Sequence, residues 1–445
     1  MNPLSFLRNQ RAVGRYESEG HFTLGAEAAR KLANYALPEP SFWILKIVQA
    51  AVACGAPSIN VRQGNVATII TFECNQEFDP RQVRKALVSA DVEAGPAEAY
   101  LVAGLRAVGV GGGRSFSIEF HREKAREAVI WDGEHLSVHN SQSGWKGCQK
   151  IELGVLWSSP DPGPLVNEYR ALIERAYTCP VELKVGGRRV DSLVPEIPSN
   201  KKRETASFLS DGADYICPII LGTGVSDSHL LKPMRVSASV ARDGKSWGIT
   251  NRFTASRPLH VVGKKAATCT HLWRLDYSFQ VKDWGLIDGA KFEFKAGSRE
   301  SKVHWLLDGV LIQSDNLGVT HPGVSLELFL NAEDLQLDLS GFALSEKSRD
   351  VRRARVEAAM SNFSEQVELA RRKVGTVVPV PFAGGLAPAL GIISACGAFM
   401  FKFIFLHIGL AAYLGLKSAK HKRRVLNDCQ KRLETFRGVI SQRFS

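Results

Sequence analysis

The sequence predicts an α+β chain of several domains that ends in a helical membrane segment. Three observations carry this. Up to about residue 190, stretches with apolar residues at three- and four-residue spacing alternate with short β-branched runs. From about 212 to 330 short strands dominate, separated by Gly, Asp and Ser clusters. From Thr376 to Leu416 a long apolar run carries a single formal charge, Lys402. With 445 residues and 44% hydrophobic content the chain is long enough for two or three cores.

The first elements lie between His21 and Val61. Ala29, Leu32, Ala33 and Tyr35 mark a helix that stops at Leu37-Pro38, because the residue before proline avoids helical geometry. Ser41 is placed to cap a second helix, on which Trp43, Ile44, Ile47, Val48, Ala51 and Val52 recur at helical spacing. Gly55 ends it, and a strand begins at Ser58. Val66 to Phe72 is a second strand, and Asp79-Pro80 opens a helix to Leu87. A helix from Ala97 ends at Gly109, and Ser115 to Phe120 is a strand. Asp132-Gly133 sets the turn of a hairpin that closes the first domain near residue 140.

From 147 a second unit is expected, with a strand over Cys148–Leu156, an amphipathic helix over Leu165–Tyr177 and a strand over Thr178–Val185. Ser192 to Ser207 reads as a polar loop. Asp334 to Phe342 is expected to close the domain with an alternating strand and turn, and Ser345 to Lys373 is expected as one long helix. The domains are therefore placed at 15–140, 147–192 and 207–342, with a helix at 345–373, a membrane segment at 376–416 and a basic tail helix at 417–445.

The second helix carries the run Lys46-Ile47-Val48-Gln49-Ala50-Ala51-Val52-Ala53-Cys54. In order and apolar frame it resembles the E-L-I-Q-N-A-x-D-A helix of the GHKL ATPase superfamily, with the nearest look to the ninety-kilodalton heat-shock chaperones. The resemblance covers roughly residues 20 to 190, including Arg175 to Val190 (RAYTCPVELKVGGRRV), which resembles the start of the second domain in those ATPases. It implies a Bergerat-type α/β sandwich, a second α/β domain after it, and ATP or ADP as the ligand of the pocket. It also implies roles by position. Lys46 stands at the general-base glutamate, Ala50 at the magnesium-ligand asparagine and Ala53 at the family's aspartate, while Gln49 keeps the family residue. Glu73 or Asn75 stands at the adenine-binding aspartate of D-x-G-x-G, with no glycine between 66 and 94 to shape that turn. The family's glycine-rich lid precedes the next helix, whereas Gly111, Gly112 and Gly113 follow it here. That run is either a displaced phosphate loop or a helix stop.

Hydrolysis in this superfamily requires a base for the attacking water and a magnesium ion on the phosphates. Lys46 and Ala50 supply neither. The expected function is therefore a membrane-anchored, non-hydrolysing scaffold or sensor with an eroded nucleotide pocket, magnesium being disfavoured. The alternative is an ATPase that uses substitute residues such as Glu73 or Glu77.

The net charge of +12 favours an anionic partner. Nucleic acid is disfavoured, because Trp247, Trp273, Trp284 and Trp305 are not interleaved with clustered Arg and Lys. Membrane lipid is the expected partner, through 376–416 and its basic flanks, Arg371-Arg372-Lys373 and Lys417 to Arg424. As a straight helix Phe382–Leu416 is about 52 Å long, beyond the roughly 30 Å of a hydrocarbon core, so either one span or a tight hairpin fits. The tail, with Val425, Leu426, Leu433, Phe436 and Ile440 on one side, lies on anionic lipid or pairs with the 345–373 helix. A protein partner is expected without a motif that names it, and a homodimer is compatible with the frame. The chain is placed at the cytoplasmic face of a membrane. Its eight cysteines show no C-x-x-C pair and read as thiols of a reducing compartment. His271, His304 and His321 lack metal-ligand spacing.

Overall fold

Strand Ala67–Cys74 (β2) buries Thr68, Ile70, Phe72 and Cys74 on one side, as period-two alternation requires. Around it forms an eight-stranded sheet. Its other strands are Ser58–Gln63 (β1), Phe116–Arg122 (β3), Ala125–Trp131 (β4), Leu136–Ser141 (β5), Gln149–Leu156 (β6), Glu182–Val185 (β7) and Arg188–Arg189 (β8). The order is β5-β4-β3-β6-β2-β1-β7-β8, antiparallel except where β7 runs parallel to β1. The computed structural model describes residues 37–88, 95–157, 163–191, 214–224, 234–235, 238–242, 245–249, 269–282, 291–296, 298–361, 363–377, 420, 423–424 and 426–442. The helix expected before Leu37 and the loop 192–207 lie outside these residues.

Four helices cover this sheet: Trp43–Ala53 (α1), Pro80–Val88 (α2), Pro96–Arg106 (α3) and Gly163–Arg175 (α4). α1 packs against α3, α4 and β2, and nearly every one of its residues is buried. It follows a 3₁₀ turn over Pro40–Phe42 that contains Ser41, so Ser41 is not the cap expected of it. Asp79 does cap α2, accepting from the Arg81 N–H at 3.0 Å. The hairpin forms at Asp132-Gly133, where the Asp132 carboxylate accepts from the Glu134 and His135 amides.

The second α/β domain expected at 147–192 is not separate. β6 inserts between β3 and β2, β7 joins β1, and α4 packs on α1. Without β6 both β2 and β3 would present long unpaired edges, and its buried Ile151, Leu153 and Val155 extend the same core.

A second sheet is built from Asp214–Gly224 (β9), Met234–Arg235 (β10), Ala238–Arg242 (β11), Lys245–Ile249 (β12), Cys269–Lys282 (β13), Lys291–Ala296 (β14), Ser298–Leu307 (β15), Val310–Pro322 (β16) and Val324–Asn331 (β17). Its main order is β12-β11-β9-β13-β17-β15-β16, with β10 paired to β9 and β14 to β13. Trp273 and Trp305 lie in its core. Of the alternating strand and turn expected over Asp334–Phe342, the turn forms and the strand does not. The Asp338 carboxylate gathers the Ser340 hydroxyl and the Phe342 and Ala343 amides, and only a bridge between Leu337 and Leu344 remains. The long helix is described as a 3₁₀ turn at Glu346–Ser348, then Arg349–Ser361 (α5) and Phe363–Val377 (α6), with residue 362 outside.

The membrane segment of the expected fold class is corrected. Among the described residues no helix is long and apolar enough to cross a membrane, and the chain is a mixed α/β protein with two sheets. Two of the basic residues flanking the apolar run, Arg371 and Arg372, are engaged within the protein, whereas Lys420, Arg423 and Arg424 are exposed. Arg371 pairs with Glu368 and Glu434, and Arg372 with Glu368. The tail helix over 426–442 (α7) buries Leu433, Phe436 and Ile440. Phe436 lies edge-on to Trp273 at 5.8 Å and tilted to Phe363 at 6.2 Å. Its apolar stripe therefore packs on the second sheet and α6. Residues 378–419, which hold most of 376–416, lie outside the described residues.

Candidate functional site

The positions implied as a nucleotide site are divided between two ends of α1. Lys46 and Gln49 face the second sheet. Lys46 is 4% exposed, with Nζ 4.3 Å from the Phe342 ring centroid and 5.3 Å from that of Tyr100. Gly341 makes the niche possible, since a Cβ there would sit 2.7 Å from the amine. Burial pulls the Lys46 pKa down to about 8, against the opposing pull of Asp338 and Asp308. Burial also raises the Tyr100 hydroxyl, whose hydrogen bond to Asp308 adds to the effect.

One helical turn on, Gln49 is fully buried. Its Nε2 donates to the Leu307 carbonyl at 3.2 Å, and its Oε1 has no partner among the described residues. Ala50 is buried and Ala53 half-buried. The turn Asp308-Gly309, which joins β15 to β16, fills the space beside them. The Thr178 hydroxyl donates to the Gly309 carbonyl at 3.2 Å, and Arg175 Nη1 donates to the Leu311 and Ile312 carbonyls at 3.2 and 3.1 Å. Phe42 and Phe342 meet at 5.0 Å between ring centroids, tilted by 57°, across the same boundary.

The other implied residues stand elsewhere. Asn75 donates from Nδ2 to the Gly55 carbonyl at 2.7 Å, so it closes the far end of α1. Seven residues of helix, 47–53, separate Lys46 from that end, about 10 Å of rise. Glu73 is exposed on β2, and Glu77 is exposed and 3.4 Å from Arg122. Gly111 to Gly113 end the π-helical turn that follows α3. The Gly112, Gly113 and Arg114 amides donate to the Ala107, Gly109 and Val108 carbonyls, which makes the run a helix stop with its donors in use.

Sequence reasoning missed the most connected polar group of the first sheet. Glu168, on α4, is 1% exposed and 2.7 Å from Arg114 Nη1. It accepts from Trp43 Nε1 and the Thr68 hydroxyl at 2.9 Å each, and from Gln63 Nε2 at 3.4 Å. Arg114 also donates from Nε to the Leu156 carbonyl at 3.0 Å and lies 4.2 Å over Trp157. The signal was present: Glu168 falls between Leu165 and Leu172 on the apolar stripe of its helix, where a carboxylate needs partners.

A groove of about 510 Å³ runs between β15, β16 and α5, bordered by Trp305, Asp315, Arg349, Arg352 and Arg353. Each arginine already meets a carboxylate: Arg349 to Glu346 at 3.5 Å, Arg352 to Asp315 at 3.5 Å and Arg353 to Glu357 at 2.9 Å. Among the described residues no three His, Cys, Asp or Glu side chains gather as a metal site.

The buried amine yields a direct prediction. The folded Lys46 pKa of about 8 lies below the ordinary 10.5. Between those values the unfolded chain holds a proton that the folded chain has released, so stability falls as pH drops through that window and stays at the lower level beneath it. Lys46→Met removes this cost and keeps the aromatic contacts. After allowance for the lost cation–π attraction it is expected to stabilise by about 1–2 kcal/mol at pH 7. Denaturant melts across pH check it: the gain should shrink above pH 8. A loss of stability at pH 7 would contradict it.

No protein-family model and no curated protein matches this chain.

Proposed function

We propose that the chain is a non-hydrolysing protein of GHKL-like build, a scaffold or sensor whose α1 face contacts its own second sheet in place of a nucleotide. One observation carries this reading: Lys46, Gln49 and Ala50 are buried beneath the Asp308-Gly309 turn and the loop that holds Phe342. The chemistry of the residues agrees with it. Lys46 is 4% exposed and enclosed by Phe342 and Tyr100, which closes its amine off from an attacking water, and an alanine cannot ligate magnesium. Glu73 lies at the wrong end of the helix to substitute.

The test is magnesium-dependent ATP turnover and calorimetric titration of ATP into the full-length protein. Neither turnover nor binding heat is expected. Turnover that disappears in Glu73→Gln or Glu77→Gln would overturn the reading in favour of an ATPase with substitute residues.

A further inference from the structure

One guanidinium in the groove between α5, β15 and β16 makes no hydrogen bond among the described residues. Arg352 stands on the face of α5 that borders the groove, and its side chain is only 14% exposed. Its Nε is buried without a partner. Nη1 lies 3.5 Å from Asp315 Oδ2 and Nη2 3.9 Å from Glu346 Oε1, which are ion-pair distances outside the hydrogen-bonding range. Asp315 is held by other donors: Oδ2 accepts from Trp305 Nε1 at 2.8 Å and Oδ1 from Gln313 Nε2 at 2.7 Å. Apolar side chains border the same space, Trp305 and Leu317 from the sheet and Val356 from α5. A guanidinium is a rigid fork of donors, and one this deep without an acceptor bears its desolvation cost uncompensated.

We propose that the groove binds a small organic carboxylate with an apolar body, the two oxygens on the Arg352 guanidinium and the body against Trp305, Leu317 and Val356. The fork matches a carboxylate bidentately, and charge-assisted bonds of this kind are roughly twice as strong as neutral ones. The space of about 510 Å³ is on the scale of sites that hold small ligands. Arg349 and Arg353 stay with Glu346 and Glu357 at the exposed rim, which leaves Arg352 as the recognising group. Asp315 and Glu357 also border the groove, so a phosphate ester with its higher charge is repelled more than a single carboxylate. None of these residues lies on α1, and the site is independent of the face that carries Lys46.

Saturation-transfer NMR on the full-length protein, with octanoate as the probe, tests the assignment. A saturable octanoate signal is expected, and acetate and octanol should each bind at least about tenfold more weakly, since each lacks half of the contacts. Arg352→Gln should weaken octanoate by about tenfold as well. Arg352→Lys, which keeps the charge without the fork, should weaken it less. Arg353→Gln should leave it unchanged. Without ligand, Arg352→Gln should melt at or above the wild-type temperature, because the group it replaces makes no hydrogen bond. Five results overturn the proposal: no octanoate signal, octanol binding as tightly as octanoate, equal octanoate binding in Arg352→Gln, an equal loss in Arg353→Gln, or a lower melting temperature in Arg352→Gln, which would make the guanidinium a structural group.

Discussion

Glu168→Ala is expected to lower the unfolding free energy by about 4 kcal/mol, as removal of one partner from a buried ion pair does. The substitution strips Arg114 of its counter-charge in a site where Arg114 Nη2 already has no partner among the described residues. It also leaves the Trp43 Nε1 donor and the Thr68 hydroxyl without their acceptor. Each orphaned donor adds a desolvation penalty of about 1–3 kcal/mol, though the penalties overlap. Glu168→Gln keeps an acceptor for Trp43 and should cost less. The decisive control is the pair Glu168→Leu with Arg114→Met: with both charges gone, the double variant should be more stable than Glu168→Leu alone. Urea melts of the four proteins measure this. Additive losses would mean that the two side chains do not share one energetic unit.

Glu168 also marks where sequence stops informing on this protein. Local signals were sufficient for α1, for the β4–β5 hairpin and for the apolar stripe of α7, because each is written in spacing or in turn chemistry a few residues long. Sheet order is not written there. β6 enters between β2 and β3 from about eighty residues downstream of β2, and no periodicity in Gln149–Leu156 states which edges it joins. The turn at 337–344 looked like a strand because Leu335, Leu337 and Leu339 alternate, while the deciding interaction is the reach of Asp338 to amides four and five residues on. The apolar stripe of the tail left lipid and the 345–373 helix open, because composition does not distinguish the two; Phe436 of that stripe meets the protein side chains Trp273 and Phe363. The nucleotide positions were legible as a frame: the helix lies where expected, but what occupies its face comes from residues 307–342, beyond the reach of the resemblance.

Gly309→Ala is the substitution that tests what occupies that face, and about 3 kcal/mol is the loss expected from backbone strain and overpacking together. Gly309 has φ +78°, and a Cβ there would lie 2.6 Å from Pro180 Cδ and 3.1 Å from Cys179 Cα. Neither neighbour can rotate away, one being a ring and the other backbone. Gly186→Ala supplies the control, with φ +56° and nothing near its Cβ, so it carries the strain without the clash and should lose only about 1 kcal/mol. The turn that holds Gly309 also receives the Thr178 and Gln49 hydrogen bonds, and displacing it loosens the cover over Lys46. Brief acylation at pH 8 followed by peptide mapping should find Lys46 protected in the wild type and in Gly186→Ala, and labelled in Gly309→Ala. Unchanged labelling would mean that the turn does not close the α1 face. Even with that face open, ATP turnover is expected to remain absent, because Lys46 and Ala50 still provide neither a base nor a metal ligand. If turnover appeared in Gly309→Ala, the second sheet would be the cover of a working site rather than the permanent occupant of an eroded one.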